Sequence, residues 1–187
     1  MTWNLKIKKL EGYKKAKEKG EVDEDIIPLL DFINSLDFFV TLSSCSGRIA
    51  VVDLPNFGNK IECKFLGKWH KPVKLKDVLD SATKCKNLAW LIQYPPIIHI
   101  ACKDLESAKK LIAIANNSGF KRSGIISLKN LVVEVSSLER IELPIAKNGK
   151  LLVDEDYLSL VIDLANEKLR RGKEKLKRFE LMLRSEF

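Results

Sequence analysis

Phe38-Phe39-Val40-Thr41-Leu42-Ser43-Ser44-Cys45-Ser46-Gly47-Arg48-Ile49-Ala50-Val51-Val52-Asp53 is the stretch on which the reading of the chain turns. Two apolar, β-branched runs flank a cluster of small polar residues. The runs predict two strands, and the Ser-Ser-Cys-Ser-Gly between them predicts a tight turn or bulge, so that the pair reads as a central hairpin. Such a turn presents backbone N–H groups, and its small side chains let a ligand approach them closely. Arg48 places a planar cation at the mouth, suited to a carboxylate or a phosphate. The plain alternative is a surface hairpin with one arginine, since turns of this composition are common.

Outward from that stretch, 187 residues with 45% hydrophobic content suffice for one domain over 1–187 with a sizeable core. It divides into an α+β body over 17–166 and basic helical ends at 1–19 and 167–187. No apolar run is long enough to cross a membrane, and Met1-Thr2-Trp3-Asn4-Leu5-Lys6 lacks the apolar region of a secretory signal. Cys45, Cys63, Cys85 and Cys102 are widely spaced, which argues against a zinc ribbon or a disulfide framework and for a reducing cytoplasm. The net charge of +8 is concentrated at the ends. Residues 1–19 carry seven Lys against two Glu, residues 167–187 carry eight Lys/Arg against four Glu, and the body between is close to neutral. Two cationic ends suit a polyanion such as nucleic acid, bound through phosphate neutralisation. Solvated lysine-rich helices are the competing explanation.

Periodicity supplies the remaining elements. Residues 4–19 read as a helix stopped by Gly20, and Asp23 as the N-cap of a helix over 24–36 whose inner face is Ile26, Leu29, Leu30 and Ile33. Pro55-Asn56-Phe57-Gly58-Asn59 reads as a turn and 61–69 as a strand, ended by His70-Lys71-Pro72. A short helix around Leu75–Ala82, strands over 88–94 and 97–102, and a helix capped by Asp104 and stopped by Gly119 follow. Strands over 120–127, 131–135 and 141–146 lead through Asn148-Gly149 to one long C-terminal helix from Asp154. Its later stripe of Leu169, Gly172, Leu176, Phe179 and Leu183 predicts packing on one neighbour, either the N-terminal helix or a second copy in a homodimer, with a monomer equally open. The fold class is α+β: a mixed sheet of about seven or more short strands with flanking helices and a long C-terminal helix. Neither G-x-G-x-x-G nor a Walker A sequence occurs, so a Rossmann-type methyltransferase or nucleotide fold is not expected.

Only two histidines, His70 and His99, can serve in acid–base chemistry near neutral pH. His99 lies within an apolar strand, where a hydrogen-bonded structural role competes. Trp69-His70-Lys71 joins a stacking surface, an imidazole and a cation, a trio suited to an unstacked base. Ser118-Gly119-Phe120-Lys121-Arg122-Ser123-Gly124-Ile125 repeats the small, polar character and can form a second backbone-lined wall with two cations beside it. A nucleophilic Cys45–His pair lacks any evident orienting group, and no metal site is expected because closely spaced ligand pairs are missing.

With these stretches identified, the whole chain resembles the third enzyme of tRNA wybutosine synthesis, in its archaeal form. The resemblance rests on Lys19-Gly20-Glu21-Val22-Asp23, on Phe38 through Ile49, on Trp69-His70-Lys71, on His99, on Ser118-Gly119-Phe120 and on Ser123-Gly124-Ile125. Pro144, Gly149-Lys150-Leu151, Tyr157 and Ala165-Asn166 complete it. It implies an S-adenosylmethionine-dependent enzyme that methylates N4 of the tricyclic base derived from guanosine 37 of phenylalanine tRNA, beside the anticodon. Methyl transfer from a sulfonium is an in-line displacement that needs positioning more than a protein nucleophile, which fits the lack of a triad or a metal cluster in the sequence. On this reading Ser44, Cys45, Ser46, Gly47 and Arg48, with Ser123 and Gly124, hold the cofactor's polar end, and Arg48 alternatively a tRNA phosphate. His70 or His99 orients or deprotonates the accepting nitrogen. Trp69 stacks on a base, and Lys71, Lys121 and Arg122 hold anticodon-loop phosphates. The competing classes are a non-catalytic RNA-binding module and a small hydrolase using Cys45.

Overall fold

The computed structural model describes residues 4–55 and 63–187. In order the elements are α1 (Asn4–Glu18), a 3-10 turn (Glu24–Ile26), α2 (Ile27–Ser35), β1 (Phe39–Cys45), β2 (Arg48–Leu54), β3 (Lys64–Trp69), α3 (Leu75–Ala82), β4 (Leu88–Tyr94) and β5 (Ile97–Cys102). They continue with α4 (Leu105–Ser118), β6 (Gly124–Ser127), β7 (Val132–Val135), β8 (Ile141–Lys147), β9 (Lys150–Leu151) and α5 (Glu155–Glu186). The class is α+β, with two antiparallel sheets and a long C-terminal helix. Of the turn expected at 55–59 only Pro55 lies within the described residues, and so do all but 61–62 of the strand expected at 61–69.

The chain forms two compact units, one of residues 1–46, 96–138 and 172–187, the other of residues 47–95 and 139–171. Their boundary corrects the central hairpin. Both strands exist, but β1 pairs with β5 in one sheet, whereas β2 pairs with β3 and β4 in the other. Alternation says which face of a strand is buried and nothing about its partner. Ser46-Gly47 therefore passes the chain from one sheet to the next, and Gly47 takes the left-handed φ of 91° that the passage requires.

In the first unit the sheet order is β1-β5-β7-β6. Its inner face presents Phe39, Ile98, Ile100, Val133 and Val135 to Leu29, Leu30 and Ile33 of α2 and to Ala108, Leu111 and Ala115 of α4. Leu176, Phe179 and Leu183 of α5 close the same core, which corrects the neighbour expected for that stripe. The stripe is buried against the sheet and helices of its own chain, and α1 packs elsewhere: Leu5 and Leu10 lie on Val40, Ala101 and Val132, on the sheet's outer face. Asp104 caps α4 as expected, accepting from Ser107 N at 2.8 Å, and Gly119 ends it at φ 108°. Asp23 does not cap α2. A 3-10 turn intervenes, and the Asp23 carboxylate instead accepts from Ser46 N at 2.7 Å.

In the second unit the order is β3-β2-β4-β8-β9. One face of this sheet buries Ile49, Val51, Ala89 and Leu91 against Val78 and Ala82 of α3 and Leu158, Ile162 and Ala165 of α5. Asn166 fastens α5 to the loop before α3, its Oδ1 accepting from Val73 N and its Nδ2 donating to Val73 O, each at 2.9 Å. Asn148 and Gly149, both at positive φ, make the tight β8–β9 turn expected there.

A cleft and a hydrogen-bonded row in the first unit, and a strand-end cluster in the second

The outer face of the first sheet carries a row of polar residues across neighbouring strands. Register pairs Ser43 with His99, His99 with Glu134, and Glu134 with Gly124. A bulge between Thr41 and Ser43 produces this alignment: Thr41 faces Ile100, and one extra residue then brings Ser43 opposite His99. Ser43 Oγ lies 2.7 Å from His99 Nδ1, and His99 Nε2 lies 2.9 Å from Glu134 Oε2. Ser136 Oγ donates to Glu134 Oε1 at 3.0 Å, and Ser136 N donates to Ser123 Oγ at 3.3 Å. A carboxylate can only accept, so Nε2 carries the proton of a neutral His99, Nδ1 is the acceptor, and the Ser43 hydroxyl donates to it. The lone pairs of Ser43 Oγ are thereby turned outward. The His99 and Glu134 side chains remain 27% and 29% exposed, so the row is open to a partner.

Beside this row lies a cleft of about 410 Å³ between α1 and β1, lined by Lys9, Gly12, Tyr13, Ala16, Glu21, Val22 and residues 41–44. Its volume is that of a small-molecule site. Gly12 is a helix-interior glycine with nothing within 4 Å of where a Cβ would stand, so no contact with the described residues accounts for it. Tyr13 and Lys17 tie α1 to α2, both donating to Asp31, at 2.7 and 2.6 Å. Burial and the Asp31 carboxylate push the Tyr13 phenol well above its usual range.

The structure thus brings His99, Ser123 and Gly124 into one row and places Ser44 on the cleft. Ser46 is fully buried, its N–H on Asp23 and its Oγ accepting from Lys173 at 2.7 Å, while Lys173 also pairs with Asp25. Cys45 ends β1 opposite Ile97. Lys121 and Arg122 are exposed in the turn before β6. Ser123 Oγ closes that turn by donating to Phe120 O at 2.8 Å.

Gly47, Arg48, Trp69, His70 and Lys71 belong to the second unit and gather where β2 begins and β3 ends. His70 Nδ1 lies 2.9 Å from Gly47 O. A carbonyl can only accept, so Nδ1 bears the proton of the neutral ring and Nε2 carries the basic lone pair. The Arg48 guanidinium stacks 5.6 Å from the centroid of the Phe65 ring. Trp69 folds back over Gly67, where any Cβ would stand 2.2 Å from the indole, and Lys71 is exposed. Burial, and then Glu142 beside it, raise the Tyr94 phenol above its ordinary value.

Ser43 within the row, Glu134, Ser136 and Gln93 were not singled out by sequence reasoning. A signal existed for two of them: Glu134 and Gln93 each interrupt an otherwise apolar strand, in Val132-Val133-Glu134-Val135 and Ala89-Trp90-Leu91-Ile92-Gln93.

Comparison with known proteins adds an independent line. The model of a family described as methyltransferase TYW3 matches residues 4–185. A relative from Archaeoglobus fulgidus, named tRNA(Phe) 7-((3-amino-3-carboxypropyl)-4-demethylwyosine(37)-N(4))-methyltransferase, is 58% identical over 186 residues, covering 99% of this chain and 95% of that protein. A Pyrococcus horikoshii relative with the same name, numbered 1, is 49% identical over 168 residues, covering 88% and 86%. A solved Pyrococcus horikoshii structure superposes with a TM-score of 0.91 at 46% identity, covering 95% of this chain and 93% of that one. A hypothetical protein from Aeropyrum pernix gives 0.75 at 28% identity, with coverage of 87% and 98%.

Proposed function

Because the chain belongs to the methyltransferase TYW3 family, we propose that it methylates the N4 ring nitrogen of the tricyclic, guanosine-derived base at position 37 of phenylalanine tRNA. The observation that carries this reading is the family match along nearly the whole chain. A methyltransferase requires a methyl donor, and S-adenosylmethionine fits the lining of the α1–β1 cleft. Lys9 and Glu21 would hold its charged amino-acid tail, Ser43 and Ser44 its hydroxyls, and Val22 and Leu42 its apolar surface. When bound, that cofactor supplies a methyl group activated by a sulfonium.

The protein's own share is to position and to handle a proton. His99, held by Glu134, orients the Ser43 hydroxyl so that its lone pairs meet a donor in the cleft. Gly124 extends this row, Ser123 braces it through Ser136, and Ser46 braces the segment through Asp23 and Lys173. Backbone groups around Cys45 and Gly47 line the same segment. His70, with its tautomer set by Gly47 O, accepts at Nε2 the proton that the ring nitrogen gives up. Trp69 offers the flat surface for the base, and Arg48, Lys71, Lys121 and Arg122 take anticodon-loop phosphates. Four cysteines without disulfides suit work in the cytoplasm.

The test uses tRNA from cells lacking this gene, incubated with the protein with and without S-adenosylmethionine and digested for mass spectrometry. One added methyl on the tricyclic nucleoside, only with cofactor, is the expected result. Salt-sensitive tRNA binding with no methyl added overturns the reading in favour of a non-catalytic RNA-binding module. Within the same assay, His70→Ala is expected to lose about 10²–10⁴-fold in kcat, the range of general-base catalysis.

A further inference from the structure

Gln93, near the end of β4, is 0% exposed, and neither Oε1 nor Nε2 of its amide has a hydrogen-bond partner among the described residues. A buried amide is nearly always paired, because leaving it unpaired forfeits its hydration with nothing in return. Register places Gln93 in one cross-strand row with Ile49 on β2, Trp69 on β3 and Ile141 on β8. Ile49 and Ile141 are apolar and cannot answer a carboxamide. The row lies where β3 and β4 end and where β2 and β8 begin, the same strand ends that carry the Gly47–His70 hydrogen bond. In the neighbouring row Arg48, opposite Tyr94, also has a buried Nε without a partner among the described residues. Unanswered polar groups therefore concentrate at this end of the sheet, beside the histidine whose tautomer is set for proton transfer.

We propose that Gln93 is a specificity residue that reads the edge of the acceptor base. A fused, guanosine-derived heterocycle presents ring lone pairs and N–H groups along its edge, and a carboxamide meets both kinds at once, with two donor hydrogens and one acceptor oxygen. Two strand spacings, about 9.5 Å, separate the backbones of Gln93 and Trp69, the scale of a three-ring base. The amide costs stability while the protein is empty and is answered only when the base is present. That differential makes it a discriminator, because a base that lacks the matching edge leaves the amide unpaired. The proposal rests on the methyl-transfer reading above and adds to it the residue that selects the base.

The experiment compares wild type with Gln93→Leu, using tRNA that carries the unmethylated tricycle. KM for that tRNA is expected to rise about 10- to 100-fold, the value of one well-placed bidentate base contact. Three further readouts are expected to hold: the salt slope of tRNA binding, the thermal shift caused by S-adenosylhomocysteine, and a ligand-free melting temperature no lower than wild type, since an unpaired amide has been removed. Gln93→Met, nearly isosteric, repeats the test if the leucine variant does not fold. An unchanged KM overturns the assignment, and so does loss of the S-adenosylhomocysteine shift, which would move Gln93 to the methyl donor. Wild-type protein serves as the control: if it transfers no methyl group, the functional reading has failed, whereas wild-type activity with an unchanged variant KM sinks only the role of Gln93.

Discussion

One extra residue in β1 sets Ser43 opposite His99, and the polar row depends on that single offset. Glu134 is the member whose removal is most informative. Hydrogen bonds to charged groups contribute about 1.5–3 kcal/mol, and without this one His99 is free to adopt the other tautomer. Glu134→Ala is therefore expected to fold and to bind S-adenosylhomocysteine roughly tenfold more weakly, as titration calorimetry would read. Unchanged affinity would detach the row from the cleft. Gly67 offers a stability test: an added Cβ would stand 2.2 Å from Trp69 and 2.6 Å from Ser81 Oγ. Gly67→Ala is expected to cost about 1–3 kcal/mol in urea unfolding, the usual range for overpacking. At this scale the sequence was partly legible. His70 and His99 stood out because histidine is rare in the chain, whereas Glu134 and Gln93 become meaningful only once the strands beside them are known.

Among elements, α1 is the one held mainly by polar contacts. It buries no residue fully, and Tyr13 and Lys17 reach Asp31 on α2. Partial burial pushes the Asp31 carboxyl up, but the hydrogen bonds from Lys17 and Tyr13 outweigh it, and the net value lies below the ordinary one. A folded-state value below the unfolded one means that the contribution is fully present above the ordinary carboxylate range of about 4. It is lost as pH falls through the depressed folded value. Limited proteolysis within residues 4–18 is expected to accelerate between pH 5 and pH 3 (about one unit either side of that range), and Asp31→Asn should remove the difference. Helices, caps and most strands could be read in advance, because capping and periodicity are local. Pairing could not. The β1–β2 hairpin failed because strand partners are chosen by distant residues, here Ile97–Cys102 for one strand and Leu88–Tyr94 for the other. The late α5 stripe was identified correctly as apolar, but spacing alone does not name what it packs on.

For the molecule as a whole, charge and core make separate demands. Net charge is +8, and residues 1–19 alone carry seven lysines against two glutamates. Affinity for tRNA is expected to fall linearly in log–log form with salt, and removal of residues 1–19 to flatten that slope. Filter binding across a salt series checks both, and an unchanged slope would take α1 out of the RNA interface. The first unit's core needs Phe179, which is 0% exposed and packs edge-on against Phe120 at 6.0 Å between ring centroids. Phe179→Ala is expected to cost about 3–5 kcal/mol, measured as a shift in chemical denaturation midpoint. The charge asymmetry and α+β class were visible from composition and pattern, but the interleaving of the two units was not, because it is written in contacts far apart along the chain.

That interleaving imposes a timetable on synthesis. Phe39, near the start, and Leu176, Phe179 and Leu183, near the end, belong to one core, while the segments 47–95 and 139–171 complete the other unit between them. A ribosome delivers the chain from its N-terminus, so the second unit has all its parts while the first still lacks a wall. The earliest residues to emerge are thus among the last to be enclosed, and Phe39, Ile98 and Ile100 stay uncovered until residues 176–183 arrive. Chaperone demand during translation, more than the stability of the finished protein, would be where a defect in the last two turns of that wall is felt first.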